Sequence, residues 1–297
     1  AQQGVQVDWI GFNIHATPVD ITVQVKAEFM NDFKALLLST ARLRWISQDD
    51  LRSFTGKANH IANVLFSWRP FLSDLWGAIT TKSKATAPGK RIWIKQVAPV
   101  LNWLRAFIRG HSGSLKRTWC YEDCLFTGVC FLLILDASPW GLGGVLLRGD
   151  TIISYFASKL TQEDVRQFKH EIGDSNGQQV WETLCIVVAL REWLPLWKGK
   201  RAVVSIKGDN ITALTAAAKL KCNASPLLGR ELAMIYTTAA FEPRVVEHLP
   251  GAMNGMSDAL SRLEEPGAPK AFPVELANVQ RVYPPLRTPS YYLTLAA

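Results

Sequence analysis

Apolar residues recur along this chain with two periods, and the pattern changes near residue 119. Residues 5–14 and the alternating Ile21, Val23 and Val25 predict strands, whereas Phe29, Phe33, Leu36 and Leu37 fall at helical spacing. Ser47 with Asp50 three residues on has the form of a capping box, and Leu51, Phe54, Ala58, Ile61, Ala62 and Leu65 then repeat at helical intervals. Pro70 is expected to end that helix, because proline removes a donor and restricts the residue before it. Residues 80–91 read as a loop. Residues 92–108 read as an amphipathic helix, with Trp93 and Trp103 assigned to the core rather than to base stacking.

Beyond residue 119, strands and helices alternate. Strands are predicted over 129–135, 144–148, 151–157, 202–206 and 244–248, and helices over 178–197, 212–221, 226–240 and 254–263. The order is βββαβααβα. Residues 264–297 contain six prolines and little periodicity, which predicts an extended tail rather than a third core.

Length and composition narrow the class. With 297 residues, 48% apolar and 20% charged, the chain has a globular composition that excludes disorder throughout and suits two folded units. The net charge of +8 is uneven: residues 1–118 carry 16 Lys and Arg against 7 Asp and Glu, whereas the remainder carries 17 against 18. A phosphate-binding surface is therefore expected in the first part. No apolar run nears the roughly 18 residues that span a bilayer, so no membrane segment is expected. The chain opens at Ala1 without a charged-then-apolar leader, which predicts an intracellular piece of a longer protein, cytoplasmic or nuclear and not secreted. Five cysteines without paired CxxC or HxxxH partners predict reduced, mostly buried thiols rather than disulfides or zinc.

The candidate chemistry lies in four acids. Asp136 follows the apolar run at 131–135 and Asp209 follows Val203, Val204 and Ile206, so each is expected at the end of a central strand. Glu182 opens the helix whose apolar stripe must face that sheet, and Asp258 opens the last helix. Singly, each could end a strand, complement a helix dipole or cap a helix. All four together predict convergent carboxylates that repel one another unless a hard cation neutralises them, which suits Mg²⁺ or Mn²⁺.

Residues 119–263 resemble the ribonuclease H domain of retroelement reverse transcriptases, as found in retrotransposon polyproteins. The resemblance is carried by Leu135-Asp136-Ala137-Ser138 with Gly141, Gly143 and Gly144, by Trp181-Glu182, and by Gly208-Asp209-Asn210. It continues in His248-Leu249-Pro250-Gly251, Asn254 and Ser257-Asp258-Ala259-Leu260-Ser261-Arg262, where Ser257 replaces the usual Ala. It implies an α/β fold, a mixed five-stranded sheet with helices on both faces. It further implies two Mg²⁺ ions, with Mn²⁺ able to substitute, and hydrolysis of the RNA strand of RNA:DNA hybrids to a 3′-hydroxyl and a 5′-phosphate. Asp136 would bridge both ions, Asp258 would complete the site of the attacking water, and Glu182 with Asp209 would hold the second ion. His248, ten residues before Asp258, matches a product-release histidine, and Ser138, Asn210 and Asn254 are expected to contact nucleic acid, Asn254 also ordering the loop before the last helix.

Residues 1–80 resemble the palm end and thumb of a reverse transcriptase, through Trp9-Ile10-Gly11-Phe12, Gly56-Lys57-Ala58-Asn59 and Arg69-Pro70-Phe71-Leu72. This mainly helical region would set Arg52, Lys57, Asn59 and His60 against template and primer, with residues 81–118 as a connection. The polymerase aspartate pair is missing, so polymerization is not expected, and the palm of the parent polyprotein becomes an implied partner. Two alternatives compete: a non-catalytic nucleic-acid-binding module, and a transposase or integrase of the same superfold. The latter would want Glu on the final helix, where Asp258 stands.

Overall fold

The computed structural model describes residues 5–80, 90–111, 114–121, 128–198, 202–222, 225–239, 243, 245–267 and 271–292. The chain divides into two compact units, Ala1–Leu125 and Phe126–Ala297. Most of the loop expected over 80–91 lies outside the described residues, as does Cys124. Among the described residues no helix is long and apolar enough to cross a membrane.

In the first unit, β1 (Gln6–Trp9), β2 (Phe12–Ala16), β3 (Asp20–Val25) and β6 (Lys116–Cys120) form an antiparallel sheet in that order. The stretch expected as one strand over 5–14 is a hairpin, because Gly11 takes a φ of +84° and reverses the chain. Residues 116–120, expected at a domain junction, complete this sheet instead. The helices α1 (Ala27–Ala41), α2 (Gln48–Ala62), α3 (Arg69–Thr80) and α4 (Ile94–Ile108) surround a core that includes Phe33, Phe54, Trp68 and Phe107. Ser47 caps α2 as expected, accepting the Asp50 amide at 3.0 Å. Pro70 does not end a helix: α2 stops at Ala62, and Pro70 sits in the first turn of α3, where its missing N–H has no helical acceptor to lose.

Trp103 is a core residue, stacked on Phe71 with ring centroids 3.5 Å apart. Trp93 is not. It ends β5 (Arg91–Trp93), which pairs antiparallel with β4 (Trp45–Ser47), and the pleat of this strand pair turns Ile92 inward and leaves Trp93 half-exposed.

Among the described residues the second unit is built on six strands rather than five. These are β7 (Val129–Ala137), β8 (Gly141–Arg148), β9 (Thr151–Lys159), β10 (Ala202–Gly208), β11 (Val245–His248) and β12 (Gln280–Arg281), ordered β11-β10-β7-β8-β9-β12. The pairs β7–β10 and β10–β11 are parallel, and β7–β8–β9 is an antiparallel meander. The helices are α5 (Gln162–Phe168), α6 (Gln178–Trp197), α7 (Ile211–Lys219), α8 (Pro226–Ala239) and α9 (Gly255–Ser261). α6 lies on one face, where its Trp193 meets Phe156, and α9 lies on the other, where Leu260 packs with Val145 and Tyr155. Gly143 permits that second contact, since a Cβ there would stand 2.3 Å from the Ser257 carbonyl oxygen.

Residues 271–292 form a strap docked on this unit. Leu276 joins the α9 side of the core, and β12 pairs in parallel with the β9 edge. The buried Arg287 guanidinium donates to both Asp164 carboxylate oxygens at 2.9 to 3.1 Å, to Ser158 Oγ at 2.8 Å and to the Lys159 carbonyl at 2.6 Å. Buried Tyr292 donates its hydroxyl to the same Asp164 at 3.2 Å.

Candidate active site

Strand register brings the first two acids together. Lys207 of β10 pairs with Ile134 of β7, so two residues on, Asp209 leaves its strand beside Asp136. Asp209 is fixed between that strand end and the start of α7, where Asn210 Oδ1 accepts the Ala213 amide at 3.0 Å. Glu182 approaches from α6, its Oε1 accepting from Gln178 Nε2 at 2.9 Å, and Gln178 also donates to the Ala137 carbonyl at the end of β7. One carboxylate oxygen from each of Asp136, Glu182 and Asp209 lies within 4.8 Å of the others. It is the only such group found among the described residues.

Asp258 departs from the expected convergence of four. Its Oδ1 accepts from Arg262 Nε at 2.6 Å, one turn along α9, and it stands outside the three-acid group. The guanidinium at the i+4 position is a ready counter-charge for it. Asp258 still lies near enough for its charge to act on Asp136.

Asp136 is held on both sides. Ser261 Oγ donates to its Oδ2 at 2.7 Å, and Asn254 Nδ2 reaches its Oδ1 at 3.3 Å and the Leu135 carbonyl at 3.1 Å. Burial pushes the Asp136 carboxyl up to about 7; the Ser261 hydroxyl opposes this, and the negative charges of Asp209 and Asp258 add to it. Burial also raises Glu182 well above the ordinary carboxylate range, reinforced by Asp136 and Asp209. Behind the cluster the Cys185 thiol is fully buried, donating to the Asp136 and Gly143 carbonyls at 3.2 and 3.4 Å. Cys130 is exposed, against the expectation of mostly buried thiols, because it lies near the start of β7, outside the core.

These carboxylates fit a divalent cation. Hard oxygen donors are gathered from three elements, and two of them are buried at a cost that a nearby positive charge would remove. Four supporting side chains, Gln178, Cys185, Ser261 and Arg262, were not assigned roles from sequence. Only Arg262 carried a local signal, its i+4 spacing from Asp258.

Several expected nucleic-acid contacts lie elsewhere. Ser138 is buried, donating to the Ser261 carbonyl at 2.7 Å and accepting from the Trp140 and Gly141 amides, so it ties β8 to α9 instead of facing a ligand. Asn254 is likewise buried and turned to Asp136. His60 is committed to the β1–β2 turn: Nε2 lies 2.9 Å from the Ile10 carbonyl, and the ring packs against Phe12 and Phe29. Arg52 is exposed and paired with Asp49 at 2.8 Å, Lys57 is exposed, and Asn59 is half-buried. Exposed His248 ends β11 opposite Gly208, the residue before Asp209.

The second unit combines a parallel β11-β10-β7 half with an antiparallel meander and carries acids at the carboxyl ends of β7 and β10. It is an α/β fold, a mixed six-stranded sheet with helices on both faces. Among solved structures, ribonuclease H1 from the halophilic archaeon Halobacterium salinarum is similar at 17% identity, over 47% of this chain and 98% of its own, with a TM-score of 0.33. A foamy viral protease-reverse transcriptase in complex with RNA/DNA hybrid is 15% identical over 83% of this chain and 29% of its own, with a TM-score of 0.29. The same type of viral protein in complex with double-stranded DNA is 16% identical over 82% of this chain and 37% of its own, with a TM-score of 0.29. The chain thus spans well under half the length of these viral proteins. No protein-family model and no curated protein matches the chain.

Proposed function

We propose that the second unit hydrolyses the RNA strand of RNA:DNA hybrids with two Mg²⁺ ions, as part of a retroelement reverse transcriptase polyprotein. The observation that carries this reading is the convergence of Asp136, Glu182 and Asp209 at one sheet end. Asp136, Glu182 and Asp209 would hold the ions, with Asp258 completing the set once released from Arg262. Bound ions supply charge neutralisation and an activated water for in-line displacement at phosphorus. The chain's own groups fix the geometry: Asn254 and Ser261 orient Asp136, and Gln178 orients Glu182. His248 would act in product release. Exposed Arg52 and Lys57, within the basic first part of the chain, would contact backbone phosphates of template and primer.

The test is cleavage of a labelled hybrid with and without Mg²⁺ or Mn²⁺. Asp136→Asn and Asp209→Asn should each abolish cutting while hybrid binding stays measurable. Wild-type turnover in either variant would overturn the metal assignment, and binding without cutting in the unaltered protein would leave a non-catalytic module.

A further inference from the structure

The two-stranded β4–β5 ribbon in the first unit, whose strands are joined through α2 and α3, has two contrasting faces. Its register pairs Trp45 with Trp93, Ile46 with Ile92 and Ser47 with Arg91. Ile46 and Ile92 point inward and are buried, so the strand pair is anchored on that side. Trp45 is 40% exposed on the outward side and meets the half-buried Trp93 edge-on, with ring centroids 5.7 Å apart.

Two exposed arginines flank the indoles. The Arg44 guanidinium lies 5.8 Å from the Trp45 centroid and 5.4 Å from that of Trp93, and Arg91 lies 5.2 Å from Trp45. Among the described residues neither arginine forms an ion pair, and exposed Lys90 adjoins them in the chain. The acids nearest Arg44 in sequence are already engaged: Asp49 with Arg52 at 2.8 Å, and Asp50 with the Ser47 hydroxyl at 2.6 Å. A cross-strand aromatic pair stabilises paired strands but does not call for two uncompensated guanidinium groups over it.

We propose that this face binds single-stranded nucleic acid. Unpaired bases stack on Trp45 and Trp93, while Arg44, Arg91 and Lys90 hold the flanking phosphates. Aromatic faces reward unpaired bases of any sequence, and the cations supply the match to the backbone. A duplex, with its bases already stacked, gains only the phosphate contacts. The proposal is independent of the hydrolytic reading, because none of these residues belongs to the carboxylate cluster.

The experiment measures anisotropy of fluorescein-labelled dT and rU 12-mers, and of a 12-base-pair duplex, titrated with the full chain over a range of salt. Trp45→Ala and Trp93→Ala should each weaken single-strand binding by about fivefold or more, the low end for a stacked base, with a smaller effect on duplex. Trp45→Phe should restore most of the affinity, whereas Trp45→Leu should not. That comparison retains a hydrophobic side chain and so decides the matter if the alanine variants fail to fold. Arg44→Gln and Arg91→Gln should each reduce the slope of log affinity against log salt by about 0.7. Hybrid cleavage by the same variants, assayed at saturating protein, should be unchanged. Undiminished single-strand affinity in folded tryptophan variants would overturn the proposal. So would equal displacement of the 12-mers by polyglutamate, which would reveal a general anion surface or an acidic-peptide site.

Discussion

Replacing Asp136 with Asn isolates the electrostatic cost of assembling the cluster. The Asp136 carboxyl rises from an ordinary 3.8 to about 7 on folding. Between these values the folded protein keeps a proton that the unfolded chain has released, so stability is greatest below about pH 4, falls as pH rises to about 7, and then levels. A shift of about three units corresponds to about 4 kcal/mol, and relaxation and water entry bring the expected loss to about 2–4 kcal/mol. Glu182 shifts in the same direction and adds to the decline. Asn at position 136 keeps the shape and can still bond Ser261 and Asn254, but carries no charge to bury. Hydrogen exchange on peptides from β7 and β10, measured in EDTA from pH 4.5 to 8.5, reports the stability of this unit alone. Wild-type protection should fall by about 2–4 kcal/mol more than that of the variant, and Mg²⁺ should restore it in the wild type only. Parallel pH profiles for the two proteins would refute the account of the cluster as a buried, mutually repelling set.

Three further expectations concern its surroundings. Gly143→Ala places a Cβ against the Ser257 carbonyl, so α9 must lift from β8; cleavage should be lost and stability should drop by about 3 kcal/mol or more, read by chemical denaturation. Arg287→Ala leaves the Asp164 carboxylate buried without its partner and should cost about 3–5 kcal/mol in the same measurement. Arg262→Gln removes the cation that engages Asp258, and since an exposed pair contributes about 0.2–1 kcal/mol, the Mg²⁺ concentration for half-maximal cleavage should fall by up to about fivefold.

Elements with long periodic stretches were legible in the sequence. The 178–197 helix coincides with α6, and the apolar runs ending before Asp136 and Asp209 became the central strands β7 and β10. Short or non-local features were not. α5 is announced by a capping box between Thr161 and Asp164, but its seven residues are too few to show a helical stripe. β12 is two residues long and exists through pairing with β9 more than a hundred positions earlier in the chain. Side-chain fate was the least legible of all. Ser138, Asn254 and His60 looked polar and available, yet each is drawn to a neighbour brought up by tertiary packing. The acids were easier because strand ends are visible locally, whereas the pairing of Asp258 with Arg262 depends on which counter-charge wins.

The strap also bears on the order in which this unit forms. Asp164 and Arg287 are 123 residues apart, so their contact closes a long loop and belongs among the slow, late events of folding. Until then β9 is an open edge with unpaired backbone groups, and Asp164 faces its pocket without a cation. During synthesis from the amino end, every other strand of the sheet emerges before the segment that covers this edge. The interval between their pairing and the arrival of Arg287 is when a nascent chain is most open to edge-to-edge association with another copy.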